Sequence, residues 1–317
     1  MRCIQITRFG GPEVLEVAEV PTPEPAAGLQ RYAVTAAGVN YADTHQTEDS
    51  YLAPQQLPLV PGAEFAGLAA DGTRVVGLLP RGGGYAEHVL APPGLTWPIP
   101  DGVADGAALA VVLQGATAWH ALRTCAHLVP GESVVVHAAA GGVGTIAVQL
   151  AKAWGAGRVI ATASSERKRE LALSLGADVA VDPAGDLVQT LKAANGGARV
   201  DVVLEMAGGP VFDGSLRALA PFGRLVTYGQ ASREQPTPIA PANLMSHSTA
   251  VLGFWLAHCF GRPEMLRGPV TELLDLLAAG SLTAVLGGTY PLADAAAAHH
   301  ALRDRSSVGK LVLDPRV

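Results

Sequence analysis

Three groups of residues in this sequence have types and spacings that chemistry can use. The first is Ala139-Ala140-Gly141-Gly142-Val143-Gly144. Here Gly141 lets the backbone approach a pyrophosphate, and Gly144 lets a helix pack closely on a strand. The first glycine of the usual G-x-G-x-x-G is replaced by Ala139, so the motif takes its meaning from its surroundings. The second group is Ser164-Ser165-Glu166-Arg167-Lys168. It lies about 20 residues on, where an NAD-binding chain carries Asp or Glu for the ribose 2′-hydroxyl. Hydroxyls followed by cations suit a 2′-phosphate instead. Cations also oppose the dipole of the helix they begin, which argues for an anionic partner. The expected cofactor is therefore NADPH; the plain alternative is a solvated first helical turn. The third group is Asn40, Asp43 and Tyr51, an amide, a carboxylate and a phenol. Asp43 also reads as a turn or cap residue.

The elements that must hold these groups are legible. Val134–Val136 is a continuous apolar run, as expected of a buried parallel strand. Val143, Ile146, Ala147, Leu150 and Trp154 then recur at helical spacing. Strand, glycine turn and helix together are the context for dinucleotide binding, with the phosphates at the helix N-terminus. Strands over 158–163, 179–181, 202–205, 224–228 and 250–254 alternate with helices over 166–175, 187–194 and 211–219. That alternation predicts a doubly wound parallel sheet with its ligand crevice at the C-terminal strand ends. Tyr228-Gly229 closes the fifth strand there, and Phe254-Trp255 closes the sixth, as cofactor or substrate walls or else as buried or dimer contacts. Residues 1–100 break into short strands between Pro and Gly, which predicts a small barrel or sandwich. Asp71-Gly72 reads as a tight hairpin turn. Helical patterns cover 104–126, 266–279 and 293–303, the last after a turn at Tyr290-Pro291, and 309–313 closes as a strand.

Composition narrows the class. The chain has 317 residues, 49% apolar and 16% charged, with net charge −6. This describes a well-buried globular protein and argues against a nucleic-acid partner. No run is long and apolar enough to span a bilayer. Cys3, Cys125 and Cys259 are too scattered for a disulfide framework or a zinc site, so a reducing cytoplasm is the expected location. The adjacent His299-His300 points to different helix faces and forms no ligand array. An apolar strand at 250–256 on a sheet edge predicts a homodimer seam.

Ala37-Gly-Val-Asn-Tyr-Ala-Asp43, Pro61-Gly-Ala-Glu-Phe-Ala-Gly67, the glycine turn and the final Gly-Lys-Leu-Val-Leu occur in an order that resembles the zeta-crystallin-like quinone oxidoreductases, a zinc-free branch of the medium-chain dehydrogenase/reductase superfamily. The resemblance covers essentially the whole chain. It implies an α/β architecture: a GroES-like catalytic domain (residues 1–112 and 256–317) with a Rossmann NADP-binding domain inserted (residues 113–255), and an active site in the cleft between them. Zinc-dependent relatives carry a cysteine where this chain has Asn40 and a histidine where it has Ala63, and neither substitute can bind Zn²⁺ in that role. No metal is expected, and reduction of electron-poor acceptors becomes the natural chemistry.

The resemblance also implies site residues. Asn40, Tyr51 and Thr117 would lie near the nicotinamide, Lys168 at the 2′-phosphate, and Lys310 would reach toward the cofactor, unless it is an ordinary surface lysine. Ala140, Gly141, Gly142, Val143, Gly144, Ser164, Ser165, Tyr228, Gly229, Phe254 and Trp255 complete the expected cofactor set. In related zinc-free enoyl reductases the tyrosine at the place of Tyr51 is a proposed proton donor. Hydride addition to an enone leaves an enolate that needs a hydrogen-bond donor and a proton, which a phenol can supply. A tyrosine usual after the third Rossmann strand is missing at Asp182-Pro183. The expected activity is NADPH-dependent reduction of a small quinone or α,β-unsaturated carbonyl compound. Two rivals stay open: a pathway-specific enoyl reductase, such as one in polyketide tailoring, with Tyr51 as donor, and an NADPH-binding protein without turnover.

Overall fold

The computed structural model describes all 317 residues. The chain forms two compact units, Met1–Ala116 with Ala257–Val317, and Thr117–Leu256.

The first leg of the first unit carries β1 (Arg2–Gln5), β2 (Glu16–Glu19), β3 (Gln30–Val39), helix α1 (Tyr41–Gln46), β4 (Glu64–Leu68), β5 (Arg74–Leu78), β6 (His88–Ala91) and β7 (Thr96–Pro98). Asp71-Gly72 does turn the β4–β5 hairpin: Gly72 has φ +86 and Asp71 accepts the Thr73 N–H at 2.9 Å. Helix follows continuously over residues 105–125, made of α2 (Asp105–Leu109), a π-helical run Ala110–Gly115, α3 (Ala116–Trp119) and a second π-helical run His120–Cys125. A 3₁₀ turn at Pro12–Val14 leads into β2. The sequence reading missed α1.

The second unit alternates strand and helix: β8 (Ser133–Val136), α4 (Gly142–Ala153), β9 (Arg158–Thr162), α5 (Glu166–Ser174), β10 (Val179–Val181), α6 (Leu187–Ala194), β11 (Val200–Glu205), α7 (Gly209–Ala218), β12 (Leu219–Thr227), α8 (Pro241–His247) and β13 (Ala250–Gly253). The strand order is β10-β9-β8-β11-β12-β13, all parallel. This is the doubly wound order of a Rossmann fold, with its switch point between β8 and β11. Both faces of the sheet are buried; Val135, Ile160, Val203 and Leu225 carry one of them, packed with Leu187 and Leu191 of α6 and Phe212 of α7. β13 is an edge strand, as expected, and ends one residue before Phe254.

The first unit then resumes with α9 (Pro263–Ala278), β14 (Leu286–Pro291), α10 (Ala295–Arg303) and β15 (Lys310–Asp314). Tyr290-Pro291 ends a strand and is not the turn the sequence predicted. A mixed seven-stranded sheet runs β14-β15-β3-β4-β5-β7, with β6 also on β3. β15 and β4 both run antiparallel to β3, so the end of β3 meets the starts of β15 and β4. Asn40, Lys310 and Glu64 sit at those three strand ends.

Candidate active site

In the first unit, Asn40 precedes α1 and is 3% exposed. Its side chain is held from three directions. Nδ2 donates to Glu64 Oε1 at 2.8 Å, and Oδ1 accepts from Gln114 Nε2 at 3.0 Å and from Lys310 Nζ at 3.1 Å. An ammonium only donates and a carboxylate only accepts, so these partners dictate which end of the amide is oxygen. One Nδ2 hydrogen remains unspent. Lys310 is fully buried; its three donors go to Asn40 Oδ1, the Val39 carbonyl at 3.3 Å and an ion pair with Glu64. Lys310 is therefore neither a surface lysine nor a group free to reach a cofactor, which corrects both expectations for it. Gly38 makes the arrangement possible, because a Cβ there would run into the Glu64 carboxylate.

The backbone of Asn40 leads to a second buried chain. Its N–H donates to Asp43 Oδ2 at 2.8 Å, so Asp43 is the cap residue expected. Tyr85 Oη donates to the same oxygen at 2.9 Å and receives His299 Nε2 at 3.1 Å. Burial pushes the Asp43 carboxyl up to about 6 and the Tyr85 phenol well above its usual value. Burial lowers His299 to about 4, helped by Arg303 and His300, so the imidazole is neutral. His300 faces solvent, as adjacent helical residues require. At the other end of α1, His45 is 8% exposed, with Nδ1 3.0 Å from Ser50 Oγ. Tyr51 is half-buried and stacks on the His45 ring at 5.8 Å and 29°.

In the second unit the glycine turn joins β8 to α4. A Cβ on Gly144 would collide with the Ala138 carbonyl and the Ala139 backbone, so close helix packing requires glycine there. The left-handed residue of the turn is Ala138, at φ +48. Gly141, Gly142 and Val143 are half-buried at the α4 N-terminus, while Ala140 is buried. His137, which the sequence did not single out, locks this turn. Its Nε2 lies 2.7 Å from Ser215 Oγ and its Nδ1 2.9 Å from Thr162 Oγ1. Ser215 spends its own proton on the Val211 carbonyl, so His137 donates from Nε2 and accepts at Nδ1. Burial holds it near 4.

The tip of β9 carries Ser164 and Ser165, both exposed. Ser165 caps α5 by accepting the Lys168 N–H at 3.4 Å, and Lys168 is half-buried in that first turn. Tyr228 has a buried hydroxyl with no partner, raised by burial and by Glu205. Gly229 beside it is exposed. Glu205 is buried at the end of β11, where Oε1 accepts the Ala207 and Gly208 N–H groups and builds the turn into α7. Phe254 stacks on His120 at 5.3 Å and 26°, and Trp255 is half-buried next to it. Thr117 is buried in α3. Within the first unit, then, Asn40, Asp43 and Lys310 share one cluster while Tyr51 stands apart on the His45 ring. Within the second, the glycine turn, Ser164, Ser165, Tyr228, Gly229, Phe254 and Trp255 follow the ends of β8, β9, β12 and β13, and Thr117 lies in α3.

Glu64, Gln114, Tyr85, His299 and His137 were missed as site or supporting residues. A signal existed for one pair. Glu64 and Lys310 are opposite charges that each lead a short apolar strand, Glu-Phe-Ala-Gly-Leu and Lys-Leu-Val-Leu. No group of three or more His, Cys, Asp or Glu side chains is placed to hold a metal ion.

Residues 142–279 match the family model described as zinc-binding dehydrogenase. A quinone oxidoreductase of Pseudomonas aeruginosa is 35% identical over 98% of this chain and 99% of its own. The Thermus thermophilus quinone oxidoreductase, whose structure was solved alone and with NADPH, is 39% identical, with TM-score 0.89 over 99% of this chain and 100% of that one. The Escherichia coli quinone oxidoreductase complexed with NADPH is 32% identical, with TM-score 0.93 and the same coverage. Likeness of this extent, end to end in sequence and in fold, places the chain in the quinone oxidoreductase family of the medium-chain dehydrogenases and reductases.

Proposed function

We propose that the chain is an NADPH-dependent reductase that delivers hydride to a quinone or α,β-unsaturated carbonyl compound without a metal ion. The observation that carries this reading is the Asn40–Glu64–Lys310 cluster: an amide locked by a buried ion pair stands where zinc-dependent relatives place a metal ligand. The relatives solved with NADPH support the choice of cofactor.

The residues present fit that cofactor. The N-terminus of α4 offers unpaired N–H groups and a positive dipole end to phosphates, and the Gly144 packing keeps that terminus against β8. Ala140, Gly141, Gly142 and Val143 would hold the pyrophosphate, with Ser164, Ser165 and Lys168 at the 2′-phosphate. Thr117, Tyr228, Gly229, Phe254 and Trp255 would border the ring end in the second unit, and Asn40 and Tyr51 would act from the first. NADPH supplies the hydride. Asn40 contributes a fixed N–H donor, which can meet a carbonyl or hydroxyl oxygen without reorganising. Tyr51 holds a phenolic proton beside His45. Lys310, with its donors spent, positions Asn40. A C=C acceptor would call on the Tyr51 proton, and a flat quinone would not. We further assign the activity to a cytoplasmic homodimer joined along the β13 edge, since that strand has an open side and all three cysteines are free thiols.

An NADPH-consumption screen over quinones and enones, with product analysis for C=C reduction, tests the reading. Turnover with at least one class is expected. NADPH binding without oxidation of any acceptor would instead identify a cofactor-binding protein without turnover, and NADH as the better donor would overturn the cofactor assignment.

A further inference from the structure

Arg169 stands one turn into α5 and is half-buried. Its guanidinium folds back to the tip of β9: Nη1 donates to the Ala163 carbonyl at 3.0 Å and reaches Asp182 Oδ2, just past β10, at 3.4 Å. Ala163 immediately precedes Ser164 and Ser165. Every side-chain bond Arg169 makes is on Nη1, so the Nε–Nη2 edge keeps three N–H donors. That edge is the side-on fork that matches two oxygens of a phosphate. The side chain is 26% exposed, enough for a ligand to meet it. Asp182 is 49% exposed, and its other oxygen is engaged by the Ala184 N–H at 3.0 Å, so it offsets the guanidinium charge only in part.

We propose that Arg169 is a specificity-determining residue that grips the 2′-phosphate of the cofactor through its Nε–Nη2 edge, while its Nη1 keeps it clamped to the strand tip. The assignment rests on the NADPH reading above and adds a residue to it. The clamp preorganises the fork: a long side chain fixed by a backbone carbonyl loses less freedom when the anion arrives. Asp182 acts against the anion and sets how strongly the phosphate is held.

The experiment compares dissociation constants of NADPH and NADH, by nicotinamide fluorescence, for the full chain and for Arg169→Gln, Arg169→Lys and Asp182→Asn. Arg169→Gln is expected to weaken NADPH about tenfold or more and to leave NADH within about twofold. Arg169→Lys, which keeps the charge but not the fork, falls between. Asp182→Asn strengthens NADPH alone. If Arg169→Gln weakens both cofactors equally, or neither, Arg169 is only a clamp between β9 and β10 and the proposal is overturned. If the unaltered chain itself fails to prefer NADPH, the cofactor reading fails first; a preserved preference in Arg169→Gln sinks this inference alone.

Discussion

Asn40 shows what a buried ion pair does for a neutral side chain. Lys310 and Glu64 leave its amide one orientation, with N–H as the only function unspent. Lys310→Met would strand the Glu64 carboxylate in the core and should cost about 3–5 kcal/mol in denaturant unfolding. Glu64→Gln combined with Lys310→Met should recover most of that loss while leaving Asn40 poorly oriented, so turnover stays low in a well-folded protein. Tyr51 gives a sharper chemical test. Tyr51→Phe should lower enone reduction by about a hundredfold or more if the phenol is the proton donor. Quinone reduction should change little, and stopped-flow rates on both acceptors separate the two. Of these residues, Asn40 and Tyr51 stood out in the sequence by spacing and resemblance. Gln114 did not, because its contact with Asn40 joins positions 74 residues apart.

At the scale of elements, the β8 turn into α4 is the most demanding piece. Gly144 has no room for a Cβ against the Ala138 carbonyl. Gly144→Ala should push α4 off β8, destabilise the second unit by about 1–3 kcal/mol and weaken NADPH binding, read by calorimetry and by titration. The strand pattern that betrayed this element was local: Val134–Val136 followed by glycine and a helical apolar stripe. Helix α1 escaped notice because six residues span less than two turns, too few for a periodic pattern. The two π-helical runs within 105–125 were equally hidden, since an extra residue per turn leaves no mark in composition. Edge strand β13 carries the dimer assignment; Leu252→Lys should shift sedimentation toward the monomer if that edge pairs with a second copy.

For the molecule as a whole, buried titratable groups set how stability depends on pH. His137 and His299 drop from 6.5 to about 4 on folding, so the unfolded chain takes up protons that the folded chain refuses. Their contribution is full above about pH 6.5 and is lost as pH falls toward 4. Asp43 works the other way. Raised from 3.8 to about 6, its contribution is full below 3.8 and is lost as pH rises through 6. In this range the two histidines carry the widest shifts, so unfolding free energy should fall between pH 6.5 and 4, opposed in part by Asp43 and by Glu205, which burial also raises, as urea midpoints would show. His137→Phe should be less stable at neutral pH, having left the Thr162 hydroxyl without its His137 partner, yet show a shallower acid slope.

By itself the sequence determined the alternation of strands and helices, the glycine turn and the absence of an acidic residue where NAD would need one. These are local patterns, written in periodicity and in residues a few positions apart. Only the tertiary structure decided that Lys310 is buried with Glu64, that Asp43, Tyr85 and His299 form one chain, and that Arg169 turns back to the tip of β9. The physical reason is the same in each case. Partners far apart in the chain meet because strand ends converge, and a charge tolerates burial only when such a partner is there to meet it.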